Sequence, residues 1–89
     1  MIHKLRNTPV RELIRAIEED GFQYKRRKGS QRVYRHPDGR RVVIHFHHAK
    51  DTLPPGTLKD FLNGTKWNET DLKRLKLIYL KYSRNLPIL

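Results

Sequence analysis

Two turn signals in close succession, Lys28-Gly29-Ser30 and His36-Pro37-Asp38-Gly39, constrain this chain more than any other feature. Pro presets φ, Asp tolerates turn geometry and Gly takes positive φ at little steric cost. The runs beside and between these turns have strand character. Phe22-Gln23-Tyr24-Lys25-Arg26 alternates apolar and polar residues, as a half-buried strand should. Gln31–Arg35 forms a second run, and Arg41-Val42-Val43-Ile44-His45-Phe46-His47 a third. In the third, Val42, Ile44 and Phe46 share one face, and Val43, His45 and His47 share the other. Connections this short leave no room for crossovers, so the three runs predict an antiparallel meander.

Helical patterns flank the meander. Thr8-Pro9 reads as a cap followed by Pro at the first helical position, after a frayed, basic start from Met1 to Asn7. Val10, Leu13, Ile14 and Ile17 then fall on one helix face, and Gly21 is the expected stop. Glu18, Glu19 and Asp20 crowd the C-terminal end, where the helix dipole disfavours acids; neighbouring basic strands would offset that cost. Beyond a loop over His48–Thr52, Leu53-Pro54-Pro55-Gly56-Thr57 leads into a short helix carrying Leu58, Phe61 and Leu62, closed by Asn63-Gly64. Trp67 reads as a core plug in the link. Asn68 caps a last helix whose stripe is Leu72, Leu75, Tyr79 and Tyr82, widened by Ile78, with an apolar tail Leu86-Pro87-Ile88-Leu89. The expectation is an α+β chain, α-β-β-β-α plus an extra C-terminal helix, in the outline of a double-stranded-RNA-binding domain. It forms one domain over residues 1–89, with a core at about 8–64 and a helical extension at about 68–83.

Charge narrows the function. The stretch from Lys25 to Arg41 holds eight Lys or Arg and one acid, most of the formal net charge of +11. A surface of that sign fits a polyanion, nucleic acid before membrane, since no apolar run reaches spanning length. There is no Cys, which excludes a disulfide framework and thiolate metal sites. The N-terminus lacks a signal-peptide apolar segment, so a cytoplasmic protein is expected. Lys25, Arg26, Arg27, Lys28, Gly29, Ser30, Arg32, Tyr34 and Arg35 are the candidate RNA contacts. A solvated charged edge that discourages aggregation is the plainer alternative. Tyr24 and Tyr34 suit base stacking or, equally, cross-strand packing. His45 and His47 share a strand face and could reach one ion, though a structural or RNA-contacting role fits better without thiolate or nearby carboxylate partners.

Several local matches in order resemble the HicA family of toxins. They are Arg11-Glu12-Leu13-Ile14 and Asp20-Gly21-Phe22, then Arg27-Lys28-Gly29-Ser30 followed by Arg32, Tyr34 and Arg35-His36-Pro37-Asp38-Gly39-Arg40, then Val43-Ile44-His45-Phe46-His47, then Leu53-Pro54-Pro55-Gly56-Thr57-Leu58. The resemblance implies a small metal-independent ribonuclease that cleaves mRNA, needs no cofactor and is neutralised by a HicB-type antitoxin in a hetero-oligomer. One departure matters. The family signature reads Gly-Ser-His with the His catalytic, whereas this chain has Gly29-Ser30-Gln31. Gln keeps hydrogen-bonding capacity and nearly the same size but exchanges no proton near neutral pH. Such a Gln is either a deliberate knock-out or a natural variant that is inactive or uses another His. His47 matches a His of the family and is the second catalytic candidate. His36 reads as structural or antitoxin-facing. The alternatives outside catalysis are a non-catalytic RNA-binding module of the same fold and, more distantly, a DNA-binding accessory protein.

Overall fold

The computed structural model describes residues 2–78. The first helix, α1 (Val10–Glu19), buries Val10, Leu13, Ala16 and Ile17. Three strands follow, β1 (Gln23–Lys28), β2 (Gln31–Arg35) and β3 (Arg41–His45), in one antiparallel sheet ordered β1-β2-β3. Two helices follow, α2 (Pro55–Thr65) and α3 (Glu69–Arg74). This is the expected α+β, double-stranded-RNA-binding-like arrangement.

Pairings set the two sheet faces. Tyr34 lies opposite Val42 and Arg32 opposite Ile44, and Tyr34, Val42 and Ile44 join the helices' apolar residues in the core. Gln31, Val33 and Arg35 lie opposite His45, Val43 and Arg41 on the outer face, none of whose residues belongs to that core. Among the described residues the helices therefore cover one face, as a meander with one apolar face requires.

Local details differ from the pattern reading. The start is not frayed: Ile2–Leu5 is a 3-10 turn with Leu5 buried in the core. Thr8 does not cap α1. Pro9 takes that position, and the orphan N–H groups of Val10 and Arg11 donate to Asp51 O (2.7 Å) and Ala49 O (2.9 Å). A neighbouring loop thus does what a capping side chain does elsewhere. At the other end Gly21 N donates to Glu18 O and Phe22 N to Ile17 O, a Schellman closure.

β1 is exposed along its whole length: of the two apolar members of the alternation, Phe22 is buried just before the strand begins and Tyr24, inside it, stays half exposed. β3 stops at His45, leaving Phe46 half-buried against the core. α2 runs past Asn63-Gly64 to Thr65. A Cβ at residue 64 would lie 2.6 Å from Arg41 O, so the glycine serves close approach to β3 rather than a helix stop. Trp67 is a core plug, packed edge-to-face on Phe61 at 5.5 Å. α3 starts on the expected signal, a capping box between Asn68 and Asp71. It ends at Arg74, well short of the expected span, because Lys76 takes φ 61° while its N–H and that of Leu77 close a Schellman pair on Lys73 O and Leu72 O. Tyr79, Lys81, Tyr82 and the apolar tail lie outside the described residues. Among the described residues no helix is long and apolar enough to cross a membrane.

Candidate nucleic-acid site

The hairpin joining β1 and β2 organises the site. Lys28 pairs with Gln31, so Gly29 and Ser30 form a two-residue loop. Gly29 has φ 59° and Ser30 an ordinary negative φ, the pattern of a Gly-first II′ turn that suits twisted antiparallel strands. Upstream, β1 carries a bulge between Tyr24 and Arg26 that leaves Lys25 without a partner of its own. Bulges re-aim side chains. Lys25 and Arg26 both flank Val33 on the outer face, and the alternation restarts so that Arg27 turns to the other side.

The bulge splits the predicted RNA contacts into two groups. On the outer face Lys25, Arg26, Arg35 and Arg41 surround Val33, which is 7% exposed beneath their stems. Around the hairpin, Arg27, Ser30, Arg32, Phe46 and His47 line a separate recess. Arg27 Nε donates to Gly29 O (2.8 Å), bracing the loop, and the Arg32 guanidinium lies 4.8 Å from the Phe46 ring centre. Lys28, Gln31 and His45 lie in adjacent register beside this recess. None of the seven Lys and Arg on the three strands makes an ion pair among the described residues.

One predicted contact is corrected. Tyr34 is 2% exposed, part of the core, and burial raises its phenol above the ordinary value, so its ring offers no platform to a base. Tyr24, which packs edge-to-face on it at 5.6 Å, remains half exposed.

His45 is the residue the sequence reading undervalued. It lies opposite Gln31, and Ser30 Oγ sits 3.1 Å from its Nδ1 and 3.2 Å from its Nε2. Its ring meets that of His47 edge-on, centroids 5.5 Å apart. Among the described residues no third His, Cys, Asp or Glu joins them in a metal-binding group. A signal for His45 did exist. Once the five residues 36–40 form the turn, Arg35 pairs with Arg41, and counting back places 31 opposite 45.

The second turn is structural. His36 contacts Asp20 O through Nε2 (2.7 Å), accepts the Asp38 N–H at Nδ1 (3.1 Å) and packs on Phe22. Nδ1 also lies 3.0 Å from Asp38 Oδ1. Arg40 holds Asp38, Asp20 and Thr65 O at 2.8, 3.0 and 2.6 Å and lies over Phe22, so it belongs to the frame rather than to the basic surface.

No curated protein matches the chain. A family model described as the HicA toxin of bacterial toxin–antitoxin systems does match, over residues 10–67. That span runs from α1 to Trp67 and takes in both turns, the recess and every strand, so the chain belongs to the HicA toxin family, a family of ribonucleases.

Proposed function

We propose that this toxin cleaves mRNA without a metal ion, that a HicB-type antitoxin neutralises it by binding it, and that Gln31 leaves the chain a disabled form of the enzyme. The reading is supported by the hairpin, where Gln31, the position that the resemblance assigns to a catalytic His, pairs with His45 next to a recess lined by Arg27, Ser30, Arg32, Phe46 and His47.

RNA carries its own nucleophile. The 2′-OH attacks the adjacent phosphorus once a base takes its proton, and an acid must protonate the departing 5′-oxygen. Arg27 and Arg32 suit the charge that builds on the phosphoryl oxygens, with Lys28 close by. The outer cations Lys25, Arg26, Arg35 and Arg41 suit the flanking backbone, and Tyr24 a base. An imidazole at 31 would serve the proton transfer; the Gln31 amide cannot. Loss of such a group costs about 10²–10⁴ in rate.

Gln31→His and the unaltered chain, compared on one mRNA in EDTA, test this. Gln31→His should cut about 10²–10⁴ times faster. If neither form cuts while both bind RNA, the second reading holds: a non-catalytic RNA-binding module, which the unpaired strand cations alone would support.

A further inference from the structure

We infer that His45 and His47 form an acid–base pair that carries the RNA-cleaving activity left to this chain, with Ser30 holding His45 in place. The inference rests on the reading that the site cuts RNA and says which groups do the chemistry when position 31 cannot.

Directly opposed side chains on neighbouring antiparallel strands have Cβ atoms about 4.5–5.5 Å apart. His45 is so opposed to Gln31, on the same exposed face. Its imidazole therefore stands one side chain away from where an imidazole at 31 would stand, and reaches the same hairpin. Ser30, the residue before Gln31, lies within hydrogen-bond distance of that ring. Its hydroxyl approaches both ring nitrogens, at 3.1 Å and 3.2 Å, and so restrains the ring.

A single imidazole supplies only half of what the reaction needs. The second lies at hand in His47, 5.5 Å away between centroids and lining the recess with Arg27, Ser30 and Arg32. In the forward step one imidazole takes the 2′-OH proton as the 2′-oxygen bonds to phosphorus. The P–O5′ bond breaks, and the other imidazole, protonated, gives its proton to the 5′-oxygen. The products are a 2′,3′-cyclic phosphate and a 5′-hydroxyl. Proton exchange with water restores the pair. No oxidant, metal or co-reactant enters the balance. Arg27 lines the recess with Ser30 and His47; its Nε is committed to Gly29 O, and its terminal nitrogens, which make no bond within the described residues, suit a phosphoryl oxygen there.

The test measures cleavage of one end-labelled RNA in EDTA by four forms: the unaltered chain, His45→Gln, Gln31→His and the double variant. Binding of the same RNA by fluorescence anisotropy and melting by circular dichroism run alongside. His45 is exposed, so His45→Gln should keep its melting temperature and bind RNA within about twofold. The unaltered chain should cut slowly and leave 2′,3′-cyclic phosphate ends. His45→Gln should lower that rate by about 10²-fold, a dependence that no co-purifying nuclease would share. If the unaltered chain and His45→Gln cut at equal rates, His45 carries nothing and the inference falls. If the unaltered chain is inert while Gln31→His cuts, the inference falls and the toxin reading stands. If no form cuts, both fall.

Discussion

Asp20 holds three distant parts of the chain together with one carboxylate. It accepts from Trp67 Nε1 (2.9 Å) and Arg74 (2.9 Å) and pairs with Arg40 (3.0 Å), with its side chain 9% exposed. Burial works to raise its carboxyl, but the bonds from Trp67 and Arg74 and the Arg40 charge hold it below the ordinary carboxylate value. A group lowered in the folded state stabilises the fold above its unfolded pKa, near 4, and that contribution is lost as pH falls through the lower folded value. Melting curves should therefore show the parent losing stability below about pH 4. Asp20→Asn should cost about 2 kcal/mol at pH 7, a drop of about 10 °C in Tm, with a shallower fall on the acid side. The sequence placed an acid cluster at the wrong end of α1 and expected basic strands to offset it. The actual partners are a turn arginine and a helix arginine 54 residues away, a closure that no local pattern encodes. For Tyr34 the sequence leaves stacking and cross-strand packing open, because alternation marks a face but not which face the helices cover; the structure selects packing against Tyr24.

At the scale of elements, the strands and the first helix were legible because periodicity and turn chemistry agreed. The ends that were misread are those where tertiary contact overrode local chemistry. Asn63-Gly64 has every mark of a helix stop, yet α2 passes through it because β3 lies too close for any side chain there. This reverses a familiar sign. Gly→Ala inside a helix ordinarily gains about 1 kcal/mol. Gly64→Ala should instead lose about 1–3 kcal/mol through overpacking against Arg41 O and the Val42 methyl, which urea titration would measure. α3 was extended too far because its stop rests on a lysine in left-handed conformation, without the glycine that usually marks one. The bulge in β1 was equally silent in a run of four cations, where alternation has no apolar residue to count.

Across the whole molecule, charge is segregated. The described acids lie on helices, turns and loops, where most are paired, while the three strands carry seven Lys and Arg and no acid. RNA binding should be steeply salt-dependent, each neutralised phosphate contributing about 0.7 to the slope of log K against log salt for a single strand. Replacing Arg35 and Arg41 together by Gln should flatten that slope by about 1.4, whereas Lys59→Gln, on α2, should leave it unchanged; filter binding over a salt series would read both. The family was legible from motif order, but the division of the strand cations between an outer face and a recess was not, since it depends on the one unpaired residue in β1. That same irregular strand lies at an edge of the sheet, where open N–H and C=O groups invite a second copy to pair. Its broken register and four like charges repel such a neighbour. A bound polyanion would cancel the charges and leave only the bulge, so the molecule is best guarded against self-association while it carries no RNA.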